Sequence, residues 1–417
     1  MSRPRRFSSI TWGALAALAA LWLLAFWPVA RAGYPAIGDG LNHFYRLVEF
    51  EHLLRQGIWF PRWAADLGYG YGYPLFNFYP SLTYYLGALF HSLGLSEGNS
   101  LLAVYGLGWA LGLGGAYRLA REQCSQTAAL AAAAAFGFAP YLYFNALARG
   151  AGPETLARGL LPWGLWAYQR LAIRPGRGAL TFAGLLTAGL ILTHLLTALL
   201  AMPLMALFWL LAERPRRPRR LAPAIAAGLV GFGLAAYFLL PALLETGAVQ
   251  LGQLTQPGDL DFHNNFISPN TLLAWPETFD PRLVFHVVPP SLSLAALALA
   301  VLGLALGLWR RRGTGRLNIG DAGLWLGLLA LAGLALAPSR WVWELVPGMG
   351  LIQFPWRLVG PASLLLALLA GRGVEALETE IAPQARGWLA PAAVAALGLY
   401  ALTWTFSAGT PAPATGS

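Results

Sequence analysis

Residues 10–30 read ITWGALAALAALWLLAFWPVA, a run without a single charge. At 1.5 Å per helical residue it measures about 30 Å, the thickness of the hydrocarbon core of a bilayer. Runs of the same character recur at 100–118, 126–145, 221–241, 287–309, 322–338 and 386–406, with shorter or polar-interrupted candidates at 80–95, 156–173 and 356–371. The stretch 179–212 is long enough for one broken helix or two short ones. Of 417 residues 57% are hydrophobic and 11% charged, against roughly a quarter charged in a soluble domain. The expected fold is therefore all-α, a polytopic transmembrane bundle of roughly ten to twelve spans. One membrane domain occupies 1–406, and 407–417 is a flexible tail.

The formal charge of +10 does not point to nucleic acid, because the basic residues, all arginine, cluster at the ends of apolar runs. That is the positive-inside pattern. Cys124 is the only cysteine, which excludes an intrachain disulfide and a thiolate metal site. Arg3, Arg5 and Arg6 precede the first run, and Ala30-Arg31-Ala32 after it has the small-x-small form of a signal-peptidase site. The length of the run favours a retained first span, and residue 33 emerges on the far side in either case.

Arg214, Arg216, Arg217, Arg219 and Arg220 mark one cytoplasmic loop, and Arg310, Arg311, Arg312 and Arg316 another. Segments 33–79, 245–286 and 339–355 then share the extracytoplasmic face. An even number of crossings between 80 and 212 would put the 214–220 cluster outside. Either 179–212 is one bent helix, then, or 80–95 does not fully cross, and the sidedness of 143–155 stays open.

The external segments carry the chemistry-bearing residues. Just past the first span lies Gly38-Asp39-Gly40-Leu41-Asn42-His43, opening a stretch in which Phe44, Leu47, Val48, Leu54 and Ile58 fall at helical spacing opposite Asn42, Arg46, Glu49 and Gln56. This predicts an amphipathic interfacial helix beginning near Leu41. Asp39, ahead of it, is read both as an N-cap and as a catalytic carboxylate. Tyr69-Gly70-Tyr71-Gly72-Tyr73-Pro74, with Phe76, Asn77, Phe78 and Tyr79, reads as an interfacial aromatic belt, with a sugar-stacking or lipid-contacting wall as the alternative. Arg357 in Gln353-Phe354-Pro355-Trp356-Arg357 sits at the external edge of a span, against the charge rule. It suits either lipid headgroups or a phosphate. Glu154 and Arg158 have the spacing of a helical ion pair. His194, between Thr193 and Thr197, reads as a hydrogen-bonded core histidine, with a proton relay as the alternative. Asp259 and Asp261 have the spacing of a metal-binding pair but follow Gln256-Pro257-Gly258, which fits a solvated turn. No phosphate-cradling glycine loop, paired-histidine metal helix or serine elbow is present.

Gly38-Asp39-Gly40, the tract Tyr73 to Pro80, Arg149-Gly150 with Glu154, Thr193-His194-Leu195-Leu196-Thr197 and Gln353 to Arg357 together resemble the bacterial 6-pyruvoyl-tetrahydropterin synthase-related membrane proteins, over most of residues 10–372. The name carries no pterin chemistry here, since that synthase is a small soluble zinc enzyme and this chain has neither its histidine set nor room for its fold. That family is similar in architecture to the GT-C membrane glycosyltransferases, which take a sugar from a polyprenyl-phosphate donor at the external face of the cell membrane. The resemblance implies a catalytic role for Asp39. Substrate-binding roles go to His43, Arg149, Glu154, His263, Asn264, Gln353, Trp356 and Arg357. The leaving phosphate would be neutralised either by arginine or by a divalent cation held by Asp39 and a second carboxylate. The implied partners are a polyprenyl-phosphate-linked sugar and membrane lipid, with the acceptor unknown. The alternatives are a transporter or lipid flippase and a non-catalytic envelope-assembly protein.

Overall fold

The structure is a computed structural model that describes residues 11–35, 37–212, 221–250, 258–275, 289–310, 319–380 and 386–405. Glu277, Asp280, the arginines of 214–220 and 311–316, and the tail lie outside the described residues. The larger helices are α1 (Trp12–Ala32), α2 (Asp39–Arg55), α3 (Leu82–Ser92), α4 (Glu97–Ala120), α5 (Gln126–Gly137), α6 (Gly152–Ile173), α7 (Arg177–Thr193), α8 (Leu195–Ala212), α9 (Leu221–Leu234), α10 (Ala236–Leu244), α11 (Leu294–Arg310), α12 (Ile319–Leu334), α13 (Val359–Glu380) and α14 (Arg386–Thr405). Thr11, Ser96 and Ser125 cap α1, α4 and α5, each side-chain oxygen accepting a backbone N–H of the first turn.

Among the described residues, five helical segments are long and apolar enough to cross a bilayer: Trp12–Ala32, Glu97–Ala120, Gln126–Ala148, Leu195–Ala212 and Pro355–Glu380. A sixth is the pair α9 and α10, bent by 75° at Ala235 where one continuous span is expected from the sequence. Shorter apolar helices are Arg177–Thr193, Leu294–Arg310, Gly320–Leu334 and Gly387–Ala401. At the centre α6 packs against α4, α7 and α8, and α13 packs against α5, α11 and α12. Glycine makes these crossings close. A Cβ on Gly159 of α6 would stand 2.2 Å from the carbonyl oxygen of Gly108 in α4, and one on Gly373 of α13 2.0 Å from that of Leu299 in α11. Backbones touch there, as small residues allow when helices associate without a hydrophobic driving force.

The ambiguity over 80–212 has a geometric answer. The 11 residues of α3 reach only about 16 Å, half the hydrocarbon thickness. The stretch 179–212 is two helices, because His194 is extended (φ −157°, ψ 106°) and the chain turns back there. Gly164 of α6 faces both Leu190 of α7 and Met205 of α8, so α8 returns over the part of α6 that α7 has already covered. The Nδ1 of His194 accepts the Thr197 N–H at 3.2 Å and lies 2.8 Å from the Thr197 hydroxyl, capping α8.

Candidate functional site

The site begins with two glycine-flanked residues docked backbone to backbone. The Asp39 N–H donates to the Arg149 carbonyl at 2.7 Å. Gly38 and Gly150 have φ of +54° and +67°, and a Cβ on Gly150 would stand 2.5 Å from the Gly40 nitrogen. Gly40 is equally constrained, 2.0 Å from the Pro35 oxygen by the same measure. Only glycine fits such positions. Asp39 is thus the first residue of α2, two residues earlier than the sequence suggests. The cap position belongs to Gly38 and no side chain caps the helix, so the N-cap reading of Asp39 is corrected. Its carboxylate, half exposed, instead accepts from Nη2 of Arg149 at 3.3 Å.

Arg149 links Asp39 to a buried centre. Its Nη1 donates to Glu154 Oε2 at 2.7 Å and to Asn145 Oδ1 at 2.6 Å, and its guanidinium lies 4.8 Å over the Trp356 ring. Glu154 is 1% exposed and fully engaged. Oε1 accepts from the Tyr141 hydroxyl at 2.8 Å and Arg158 Nη2 at 2.9 Å, while Oε2 faces Arg149 and, at 3.8 Å, Arg357 Nε. The expected pairing with Arg158 is therefore present, and the same carboxylate also meets Tyr141, Arg149 and Arg357. Three guanidiniums surround two carboxylates, one of them reachable, and Arg158 Nε and Nη1 and Arg357 Nε have no hydrogen-bond acceptor. Donors and positive charge are in surplus.

Arg357 is held from behind. Phe354 N–H donates to the Ile352 carbonyl at 2.7 Å across Gln353, whose φ of +64° is rare for a residue with a side chain. That same carbonyl accepts Nη1 of Arg357 at 2.6 Å. Gln353 therefore forms a strained three-residue turn whose carbonyl aims the guanidinium, and such strain concentrates at functional sites. Phe354 lies under Arg357 at 4.7 Å.

On α2 the buried stripe is His43, Leu47, Phe50 and Leu53, packed on α3 and α4. Val48, assigned to the apolar face from the sequence, is exposed, and Glu49, assigned to the polar face, is buried. Glu49 Oε1 accepts the Asp66 N–H, which brings the 59–73 loop against the helix and covers the acid. His43 is buried with Nδ1 2.8 Å from the Tyr84 hydroxyl. Burial and the adjacent charge of Arg46 press its pKa well below the ordinary value, so it serves as a neutral hydrogen-bonding group. Arg46 lies 4.6 Å over the Tyr79 ring and has no carboxylate within ion-pair distance among the described residues.

His263 and Asn264 belong to a different cluster. His263 Nδ1 is 2.7 Å from Asp261 Oδ1 and Nε2 is 3.2 Å from Glu344 Oε1, while the Asn264 amide donates to the Gly258 carbonyl at 3.2 Å. Phe262 stacks on Trp343 at 5.7 Å. The 258–266 stretch is thereby fixed to 340–352, and among the described residues no hydrogen bond or ion pair joins it to Asp39. Asp261 bonds the backbone N–H of His263, the solvated-turn reading rather than a metal pair. Among the described residues no group of three or more histidine, cysteine, aspartate or glutamate side chains could hold a metal ion. A cation bridged by Asp39 and Glu154 does not fit, because the Arg149 guanidinium occupies the space between them.

Arg46, Arg158 and Tyr141 were not assigned to the site from the sequence. Arg46 stands four and seven residues after Asn42 and Asp39, a helical spacing that puts it near the Asp39 face. Tyr141 carries no such signal, because the chain between it and Glu154 is irregular.

The model of a family described as 6-pyruvoyl-tetrahydropterin synthase related domain, membrane protein, matches residues 76–404, a range that begins beyond Asp39. No curated protein sequence matches the chain. Among solved structures, the chain is similar to the cryo-EM structure of the arabinofuranosyltransferase AftD from Mycobacteria, with a TM-score of 0.56 and 20% identity. The match covers 95% of this chain and 27% of that one, so the chain spans about a quarter of the length of the protein it matches. The likeness is one of fold, and with the family description and the apolar helices it bears out the expected all-α bundle in a membrane.

Proposed function

Since the chain belongs to the 6-pyruvoyl-tetrahydropterin synthase-related family of membrane proteins, we propose that it is a membrane glycosyltransferase that moves a sugar from a polyprenyl-phosphate donor to an acceptor hydroxyl at the extracytoplasmic face. The observation that carries this reading is the pairing of one reachable carboxylate, Asp39, with a cluster of arginines whose positive charge exceeds that of its acids. Asp39 accepts the proton of the acceptor hydroxyl as its oxygen attacks the anomeric carbon. The bond from that carbon to the phosphate oxygen breaks, and the phosphate leaves with both bonding electrons. Arg149 and Arg46, neither sealed against a carboxylate on every side, receive the developing charge. Arg357 supports from behind, a smaller part than the sequence assigns it, because its Nη1 is committed to Ile352.

With Glu154 sealed, one carboxylate serves the reacting centre, which supports a single displacement and inversion at the anomeric carbon. The test is transfer from a polyprenyl-phosphate sugar in liposomes. Asp39→Asn keeps an acceptor for Arg149 but removes the base, so transfer is expected to fall by about 10²-fold or more with little change in melting temperature. Full activity in that variant, or a product of retained configuration by proton NMR, would remove the proposed chemistry.

A further inference from the structure

A cavity lies between the first external loop and the broken α9–α10 pair, and none of the residues grouped around Asp39 and Glu154 lines it. It encloses about 230 Å³ and is bounded by Phe60, Arg62, Asn77, Ser81, Tyr85 and Tyr237. The 75° break at Ala235 turns α10 toward the loop, where Tyr237 meets Phe60 edge to face at 5.5 Å. Tyr85 is fixed by a hydrogen bond from its hydroxyl to the Trp59 carbonyl. The polar groups come from Asn77, 4% exposed, and Ser81, 9% exposed. Asn77 Nδ2 donates to Glu245 Oε2 at 3.0 Å, and its buried Oδ1 has no donor. Arg62 faces the other oxygen of Glu245 at 3.8 Å.

We propose that this cavity is a binding site for an uncharged saccharide, and that it holds the acceptor of the transfer. The second half rests on the glycosyltransferase reading; the first does not. A phosphate or other anion is disfavoured because the single arginine is matched by the single glutamate, in contrast to the surplus around Glu154. An acyl chain would leave the buried Asn77 Oδ1, which has no donor, unsatisfied, at about 1–3 kcal/mol for such a group. A sugar ring meets both demands, since a hydroxyl can donate to Asn77 Oδ1 while its C–H faces pack on Phe60, Tyr85 and Tyr237. Asn77 and Phe76 belong to the aromatic tract that the sequence offers as either an interfacial belt or a sugar-stacking wall. Phe76, a wall of the cavity, packs 5.7 Å from Tyr84, whose hydroxyl bonds His43 one helical turn from Asp39. The wall of the cavity is thus linked to the helix that carries Asp39 through the Phe76, Tyr84 and His43 side chains.

Saturation-transfer NMR with methyl pentosides and methyl hexosides, on the purified full chain in a sugar-free detergent, tests the site without turnover. At least one glycoside is expected to receive saturation from the wild type. Tyr237→Ala and Asn77→Ala should each lose most of that signal, and Tyr71→Ala, an exposed aromatic outside the cavity, should keep it. Tyr237→Ala, in the half-exposed rim, guards against a folding defect in the Asn77 variant. In the transfer assay Tyr237→Ala should raise the acceptor KM about tenfold, a loss of about 1.4 kcal/mol, and leave the donor KM unchanged. Absence of saturation transfer to every glycoside, or an undiminished signal in Tyr237→Ala, would overturn the saccharide site whatever the outcome of the transfer assay. Glycoside binding that depends on Tyr237, in a protein unable to use a polyprenyl-phosphate sugar, would instead retain the site and remove the transferase reading.

Discussion

Glu154 is the residue on which the polar centre depends for its balance of charge. Three guanidiniums converge on one buried carboxylate, so its removal leaves cations in a medium that solvates them poorly. Glu154→Gln is expected to cost about 3–5 kcal/mol, the penalty for breaking a buried pair from one side, and to appear as a large drop in melting temperature in detergent. Melting like the wild type would mean that the arginines do not need this charge. Arg46→Ala makes the contrasting case, since it strands no acid. Its melting should hold while the donor KM rises about tenfold or more, the worth of one charge-assisted contact to phosphate. The contact of Glu154 with Arg158 was legible in the sequence as a one-turn spacing. The approach of Arg149 and Arg357 to the same carboxylate was not, because one follows an irregular turn after Phe144–Ala148 and the other follows the strained turn at Gln353. Helical periodicity carries no information across such breaks.

Among the elements, α2 owes its position to glycine. Gly38, Gly40 and Gly150 let two backbones meet so that Asp39 and Arg149 exchange a main-chain and a side-chain bond. Gly150→Ala would put a side chain in the left-handed region and a Cβ on top of Gly40, so the helix must lift away. The expected result is rapid proteolysis within 37–73 and loss of transfer, with the other spans intact; a protease-resistant and fully active variant would show the docking to be dispensable. Gly38-Asp39-Gly40 stood out in the sequence as a motif, but composition alone did not reveal that its glycines serve a contact more than a hundred residues away. The helix itself was legible, and its phase only partly, because loop 59–73 folds back over Glu49 and buries an acid that an isolated helix would expose. His194 shows the opposite outcome. Its bland reading as a bonded histidine stands, and the same bond ends one helix and starts the next.

At the scale of the whole molecule, the residues that meet around Asp39, Arg149 and Arg357 must share one face of the membrane, and the arginine clusters at 214–220 and 310–316 assign the other face to the cytoplasm. Apolar length alone could not count the crossings before 212. It treats α3 as a candidate and cannot see the reversal at His194, both of which depend on three-dimensional packing. With α3 too short to cross and α7 and α8 running in opposite directions, α4, α5, α6, α7 and α8 are expected to alternate, so that the end of α8 returns to the side on which α1 begins and 143–155 joins the external face. Single cysteines can test this arrangement, since the native Cys124 is 1% exposed and gives little background. Tyr71→Cys, Leu260→Cys and Leu351→Cys, at exposed positions of the three external segments, are expected to react with a membrane-impermeant maleimide in intact cells. Gly176→Cys, in the open turn between α6 and α7, should react only after permeabilisation. Labelling of Gly176→Cys in intact cells would mean that α3 crosses after all, and Arg149 would then lie on the opposite side from Asp39. The bond between them at 3.3 Å forbids that, so the same labelling would also remove the site built on the pair.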